Sequence, residues 1–305
     1  MKTIITHFYN EEFLLPLWLN HHKTMFDHGV LINYGSTDRS VDIIRELCPT
    51  WQVINSNHTH FDHKHCDEEV QYIESQLDGW KISIPVTEFV AGNIDLLTSF
   101  NSNTAYLPVL IFTGYQPDGV LYNTKPLWHQ ITEGIPIHVD NVNRCFHKQK
   151  DMKYPPGRHF WGQNQMTQAM IFKYSSCLIG SEMIKRRLQI QDKVSESDRR
   201  LGVAEHHVYS KMLGLTENTL QYYYEENIWS KNPVDCSEYI YALNLKDRPT
   251  NEYITSTIIN NLPNIEKYTY LELGIGNGQN FKSIKCSTKM SVDITPDVAI
   301  YTGTT

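Results

Sequence analysis

A chain of 305 residues with 27 lysines and arginines against 34 aspartates and glutamates carries a formal charge of −7. That balance excludes a protein that holds nucleic acid or an anionic membrane through bulk positive charge, while leaving room for a small anionic ligand in a local pocket. The length supports one large domain or two modest ones, each with a real core. The longest apolar runs fall far short of a spanning helix, and MKTIITHFYNEE lacks a signal peptide's apolar region and cleavage site, so a cytoplasmic protein without a transmembrane segment is expected.

The first ninety or so residues alternate strand and helix patterns. TIITHFY (3 to 9) is β-branched and apolar, and the following segment sets Leu14, Leu17, His21 and Met25 at helical spacing, with Glu11 and Glu12 where a helix N-terminus favours acids. GVLIN (29 to 33) predicts a second strand, RSVDIIRELC a helix stopped by Pro49, WQVIN (51 to 55) a third strand, DEEVQYIESQLDG (67 to 79) a helix, and WKISI (80 to 84) a fourth strand. Strand and helix repeated in this way imply right-handed crossovers and a parallel sheet covered by helices, with ligands at the carboxyl ends of the strands. From about 94 to 235 the pattern loosens, apart from a polar helix at SEMIKRRLQIQDKV; a linker-like stretch then precedes a strand and glycine loop at YTYLELGIGNGQNF and a strand at KMSVDI. The six cysteines lie far apart with no C-x-x-C pair, which favours buried thiols over a disulfide framework.

FYNEEFLLPLWLNHH followed by GVLINYGSTDRSVDIIREL resembles the opening of a family-2-type glycosyltransferase, well over roughly residues 3 to 90 and more loosely to about 225. The resemblance implies an α/β, GT-A-like (Rossmann-type) fold with a mostly parallel sheet and helices on both faces in residues 1–240, a linker at 241–264, and a nucleoside-diphosphate-sugar donor whose sugar goes to a carbohydrate or lipid-linked acceptor. The two strand ends place Phe8, Tyr9, Asn10 and Glu11 beside Asn33, Gly35, Ser36 and Asp38, an aromatic face with short polar groups fit for a base and ribose. The alternative is that NYGSTD is a turn capping the next helix through Thr37 or Asp38. By resemblance Asn33 stands in the place of an aspartate that contacts base or ribose.

The departure concerns metal. Aligned on the family's D-x-D, which holds Mn²⁺ or Mg²⁺ against the leaving diphosphate, the chain presents Pro85, Val86 and Thr87, followed by Glu88. Either Glu88 with a distant residue such as His207 holds a weakened site, or cations such as Arg158 and His159 take over, or transfer is lost; Arg158 has the further reading of a structural partner to a carboxylate. An inverting transfer needs a general base, for which Glu205 is the first choice, with His206 as its partner and Asp198 in reserve. The contrary reading makes EHHVYS a partly exposed helix.

His58-x-His60-x-Asp62-His63 has the H-x-H-x-D-H spacing that metallo-β-lactamase-like hydrolases use for two zinc ions, so a metal-dependent hydrolase is the alternative function, beside a catalytically weak nucleotide-sugar-binding module. The parallel α/β start does not match that hydrolase fold, and the stretch is expected to be a solvated loop after the third strand. At the back, LELGIGNGQNF with Glu272, Gly274, Gly276 and Gly278, then Asp293, resembles the first motif of class I S-adenosylmethionine-dependent methyltransferases. Residues 265–305 are expected to form an incomplete βαβ unit of that kind with a non-functional cofactor site. Oligomeric state is not legible in the sequence.

Overall fold

The computed structural model describes residues 1–99, 101–116, 121, 125–135, 142–161, 169–201, 218–219, 233–237, 269–273, 288–292 and 302–304. The chain divides into two units, Met1–Asn244 and Leu245–Thr305.

The first unit opens with β1 (Lys2–Phe8), α1 (Leu15–His22), β2 (His28–Asn33), α2 (Ser40–Leu47), β3 (Gln52–Asn55), α3 (His63–Gln76) and β4 (Trp80–Ser83). Its strands lie in the order β3-β2-β1-β4, all parallel, with Ile5 opposite both Val30 and Ser83. Alternation along β1 sorts the two faces. Ile4 packs in one cluster with Leu15, Trp18 and Ile44 of α1 and α2, and its neighbour Ile5 packs in another with Ile32, Cys66 and Val70 of β2 and α3. Helices therefore cover both faces, and the expected α/β class holds.

The third helix departs from the sequence reading. It begins at His63, not near residue 67, because the Asp62 side chain accepts from the Lys64 and His65 amides and caps its first turn. The end of the histidine-rich stretch is thus helical.

Beyond β4 the chain forms β5 (Glu88–Gly92), α4 (Ile94–Thr98), β6 (Thr104–Gln116), β7 (Glu133–Ile135), β8 (Val142–His147), β9 (Phe160–Trp161), β10 (Ala169–Ile179), α5 (Gly180–Lys193), α6 (Glu196–Leu201) and β11 (Val234–Asp235). Here antiparallel pairing takes over: β8 runs against β4 and β6, and β10 against β5, while β10 and β6 are parallel. The β10–β5 register sets Lys173 opposite Glu88, which brings two charged groups to the turn after β4. A histidine fixes β5 to α1. The Val90 amide donates to His22 Nε2 at 3.1 Å, so the ring proton sits on Nδ1 and is given to the Trp18 carbonyl at 2.9 Å, and burial holds this imidazole neutral.

In the second unit β12 (Thr269–Leu273) runs parallel to β13 (Thr288–Val292), which pairs antiparallel with β14 (Thr302–Thr304). Glu272 lies in β12; Gly274, Gly276, Gly278 and Asp293 lie outside the described residues. Five described cysteines, Cys48, Cys66, Cys145, Cys177 and Cys236, are buried and unbridged. Among the described residues no helix is long and apolar enough to cross a membrane.

Candidate functional site

The tips of β1 and β2 meet as the strand pattern requires, and their polar groups bond one another. Asn10 takes a left-handed conformation (φ 49°), one that asparagine tolerates, and its Oδ1 accepts from the Thr37 and Asp38 amides at 2.8 and 3.3 Å. Its own amide donates to Ser36 Oγ at 3.0 Å. Asn33 Oδ1 accepts from the Ser36 amide at 2.9 Å while its Nδ2 donates to Asn55 at 3.1 Å. Asp38 accepts from the Glu12 amide at 3.0 Å and the Ser40 amide at 2.9 Å, covering the start of α2. The Lys193 ammonium lies 4.1 Å from the centre of the Tyr9 ring, a cation–π contact on the face expected to take a base.

A cavity of about 450 Å³ opens beside these tips, at the carboxyl ends of β1 and β4 and the N-terminus of α3. Of the residues expected to bind a donor, Phe8, Glu11, Arg158 and His159 line it, whereas Tyr9, Asn10, Asn33, Gly35, Ser36 and Asp38 do not. Its walls are charged. Arg144 reaches from β8 and grips Glu88 with two parallel bonds of 2.7 Å, and Lys173 approaches the same carboxylate at 3.8 Å. Arg186 from α5 grips Glu11 with two bonds of 2.6 Å, and Arg187 follows it on the same wall. Four cations and two carboxylates thus line this side of the cavity. Burial would raise the Glu88 carboxyl, but the Arg144 guanidinium, its hydrogen bonds and Lys173 outweigh it and hold that group below its ordinary value.

Arg144 also organises the turn that closes the cavity. Its Nη1 donates to the carbonyls of Gly157 and Arg158 at 2.7 and 2.9 Å, and Asp67 of α3 accepts from the Gly157 amide and from Arg158 Nη1 at 3.2 and 2.8 Å. Between these anchors Gly157 and Arg158 both have positive φ (69° and 60°), a strained state for arginine that surrounding bonds must impose. Arg158 therefore stands as the partner of Asp67, with its Nε buried and without a hydrogen bond among the described residues.

On the other wall Asp198, the reserve base, accepts from the backbone amide of His63 at 2.8 Å and meets the His63 ring at Nδ1 at 2.6 Å. Asp62 accepts from Ser195 Oγ at 2.9 Å, which in turn accepts from the Asp198 amide at 3.0 Å. Asp62, His63 and Asp198 offer ligand atoms within 4.8 Å of one another, and among the described residues no other such trio of histidine, cysteine and carboxylate groups forms. Its closest approach, 2.6 Å between Nδ1 and a carboxylate oxygen, is a hydrogen-bond length, shorter than the roughly 3 Å edge between adjacent ligands of an octahedral cation with bonds near 2.1 Å. His58 and His60 stay out of it: His58 stacks on His65 with ring centres 4.1 Å apart, and His60 is exposed. The dizinc arrangement is not assembled by these four motif residues. Glu205, His206 and His207 lie outside the described residues.

Sequence reasoning missed Arg144, Lys173, Arg186, Arg187 and Asp67. One signal was available for two of them: Met183, Arg186, Arg187, Ile190 and Val194 follow helical spacing, so the paired arginines share a face with apolar residues and turn inward.

No family model and no curated protein matches the chain. Solved structures overlap it at low similarity. They include glucosyl-3-phosphoglycerate synthase from Mycobacterium tuberculosis in complex with Mn²⁺, uridine diphosphate and glucosyl-3-phosphoglycerate, at 12% identity and a TM-score of 0.26, over 38% of this chain and 44% of that one. TarS residues 1–349 from S. aureus overlaps at 12% identity and a TM-score of 0.33, over 72% and 77%. The same TarS segment in complex with UDP-GlcNAc overlaps at 13% and 0.32, over 78% and 77%. The chain spans less than half the length of the synthase.

Proposed function

We propose that residues 1–240 form a GT-A-like domain that transfers a sugar from a nucleoside-diphosphate donor to a carbohydrate or lipid-linked acceptor. The observation that carries the reading is the cavity at the carboxyl ends of β1 and β4, where Arg144, Lys173, Arg186 and Arg187 are grouped about Glu88 and Glu11. Cations grouped on one side of a site of this size suit a diphosphate and the charge it gains on leaving. The FYNEE and NYGSTD segments support the same donor class by resemblance.

The residues standing where the family's metal motif stands do not fit a divalent cation. Pro85 and Val86 have no side-chain ligand atom, and Glu88, fully buried, gives both oxygens to Arg144. Neutralisation of the leaving diphosphate therefore falls to the cations of the cavity. The same pair favours a second reading, a module that binds the nucleotide sugar without turning it over.

A thermal-shift series with uridine, guanosine, adenosine and cytidine diphosphates, each with and without EDTA, tests the reading. A nucleotide at about a hundred times its Kd adds about 2.7 kcal/mol of apparent stability, enough for a clear rise in Tm. A rise with one base and none with the others supports the donor site; no rise with any of the four overturns it. Donor hydrolysis then separates the transferase from the binding module. For residues 265–305 the proposal stays that the methyl-donor site is non-functional, and micromolar binding of S-adenosylmethionine in a titration would overturn that.

A further inference from the structure

We propose that His63 is the general base of the reaction and that Asp198 is its positioning residue. The inference rests on the donor reading above and deepens it. A base that serves a transferred sugar must have a nitrogen or oxygen lone pair facing the reaction space and a partner that holds it there. Three observations meet that requirement in His63.

The ring is locked from one side. Asp198 makes two bonds to the same residue, one to the His63 backbone amide at 2.8 Å and one to the ring at Nδ1 at 2.6 Å, so the carboxylate fixes both the origin of the side chain and the plane of the ring. With Nδ1–H donated to Asp198, the tautomer leaves a lone pair on Nε2. Asp198 is itself held, since its amide donates to Ser195 Oγ and its side chain is 5% exposed.

The other side of the ring is left to the cavity. His63 lines it, its side chain is 26% exposed, and Nε2 makes no hydrogen bond to any described residue. Two further carboxylates flank His63 along the chain, and both have partners. Asp62 precedes it as the helix cap and accepts from Ser195, and Asp67, one turn along α3, is held by Arg158. His63 thus shares one cavity with Arg144, Lys173, Arg186 and Arg187, which lets a transfer place the acceptor at the base and the diphosphate at the cations.

The step balances without a further reagent. Nε2 takes the proton of the acceptor hydroxyl, the acceptor oxygen forms its bond to the anomeric carbon, and the bond from that carbon to the phosphate oxygen breaks with its electron pair leaving on the diphosphate. Asp198 stabilises the imidazolium until it returns the proton to solvent.

The test uses the full chain and nucleotide-sugar hydrolysis, where water serves as acceptor, with UDP-GlcNAc, UDP-glucose and GDP-mannose as probes and calorimetric binding of the matching diphosphate alongside. Expected for His63→Gln is diphosphate affinity within about twofold of wild type with turnover down about a hundredfold, the scale of a lost general base. The acid limb of the pH–rate profile should vanish and added imidazole should restore part of the rate. Asp198→Asn should lower turnover by at least about tenfold through the wrong tautomer, again with binding kept. His58→Gln, outside the cavity, should leave turnover unchanged. Turnover of His63→Gln within about threefold of wild type, or a wild-type rate abolished by EDTA together with metal lost in His63→Gln, overturns the assignment. So does a wild type that binds the diphosphate yet hydrolyses no probe at any pH, which leaves the donor site standing. If no diphosphate binds at all, the donor reading itself fails and the base assignment falls with it. Should His63→Gln not fold, the wild type decides: in ¹⁵N-histidine spectra the His63 Nε2 resonance must move on adding the diphosphate, and an unmoved resonance overturns the proposal.

Discussion

Two sets of polar groups stand at the same end of the sheet and have opposite fates. At the β1 and β2 tips Asn10, Asn33, Ser36 and Asp38 spend their hydrogen bonds on one another and on nearby amides. In the cavity beside them Arg144, Lys173, Arg186 and Arg187 crowd about Glu88 and Glu11, and Nε2 of His63 makes no hydrogen bond to a described residue. Residue type at a strand end does not distinguish a latch from a site. What does is whether the group's bonding capacity is consumed inside the fold.

The strongest way to break this contrast is to unpair the basic wall. Glu88→Gln leaves the Arg144 guanidinium buried without its countercharge, and loss of one partner from such a pair costs about 3–5 kcal/mol. Urea unfolding should show a large drop in midpoint at unchanged slope. The PPGR turn should loosen with it, since Arg144 holds two of its carbonyls. A loss below about 1 kcal/mol would mean the pair is solvated and the wall is not the buried cationic surface described.

His7 sharpens the comparison from behind, because it lines the cavity while sitting at the root of the tip. Burial pushes its pKa down from 6.5 to about 4, against the opposing pull of Glu69. Below pH 6.5 the unfolded chain takes up a proton that folded His7 refuses until about pH 4, so its contribution is whole above that window and is lost as pH falls through it. The loss amounts to about 3 kcal/mol. Unfolding free energies at pH 7, 6, 5 and 4 should fall less steeply in His7→Phe than in wild type, and parallel curves would contradict the burial argument.

A smaller effect belongs to the latch. Asp38→Ala exposes the Glu12 and Ser40 amides it covers and should cost about 1–2 kcal/mol, the scale of a lost helix cap. If the latch is separate from the site, diphosphate affinity changes by less than about twofold; a tenfold loss would move the donor back to the tips.

The strand and helix order up to Ser83 was legible because each element carries its own period, and the sheet needs nothing from afar to sort its faces. The cap at Asp62 was not read, because the histidine-rich stretch passes for a loop until the amides of Lys64 and His65 are seen to need an acceptor. The cavity was hardest to read. Glu88 meets Arg144 across 56 residues, Glu11 meets Arg186 across 175, and His63 meets Asp198 across 135, separations at which no local pattern links the partners. Asp198 was reached as a carboxylate in reserve, but its partner was filed with the metal motif.

The finest test of the comparison is Gly35. Its φ of +76° is a conformation that side chains rarely adopt, and an added Cβ would meet no atom within 4 Å. Gly35→Ala should therefore cost about 1 kcal/mol, from backbone strain alone and with no clash to relieve. The glycine suggests close approach by a ligand, and the open space around it is where one would come. If the donor lies in the cavity and not over the tips, the variant loses that stability while diphosphate affinity stays within about twofold, because Gly35 does not line the cavity. Should affinity fall tenfold or more with the modest stability loss unchanged, the Gly35 backbone is part of the binding surface after all, and the division between latch and site must be redrawn one residue at a time from there.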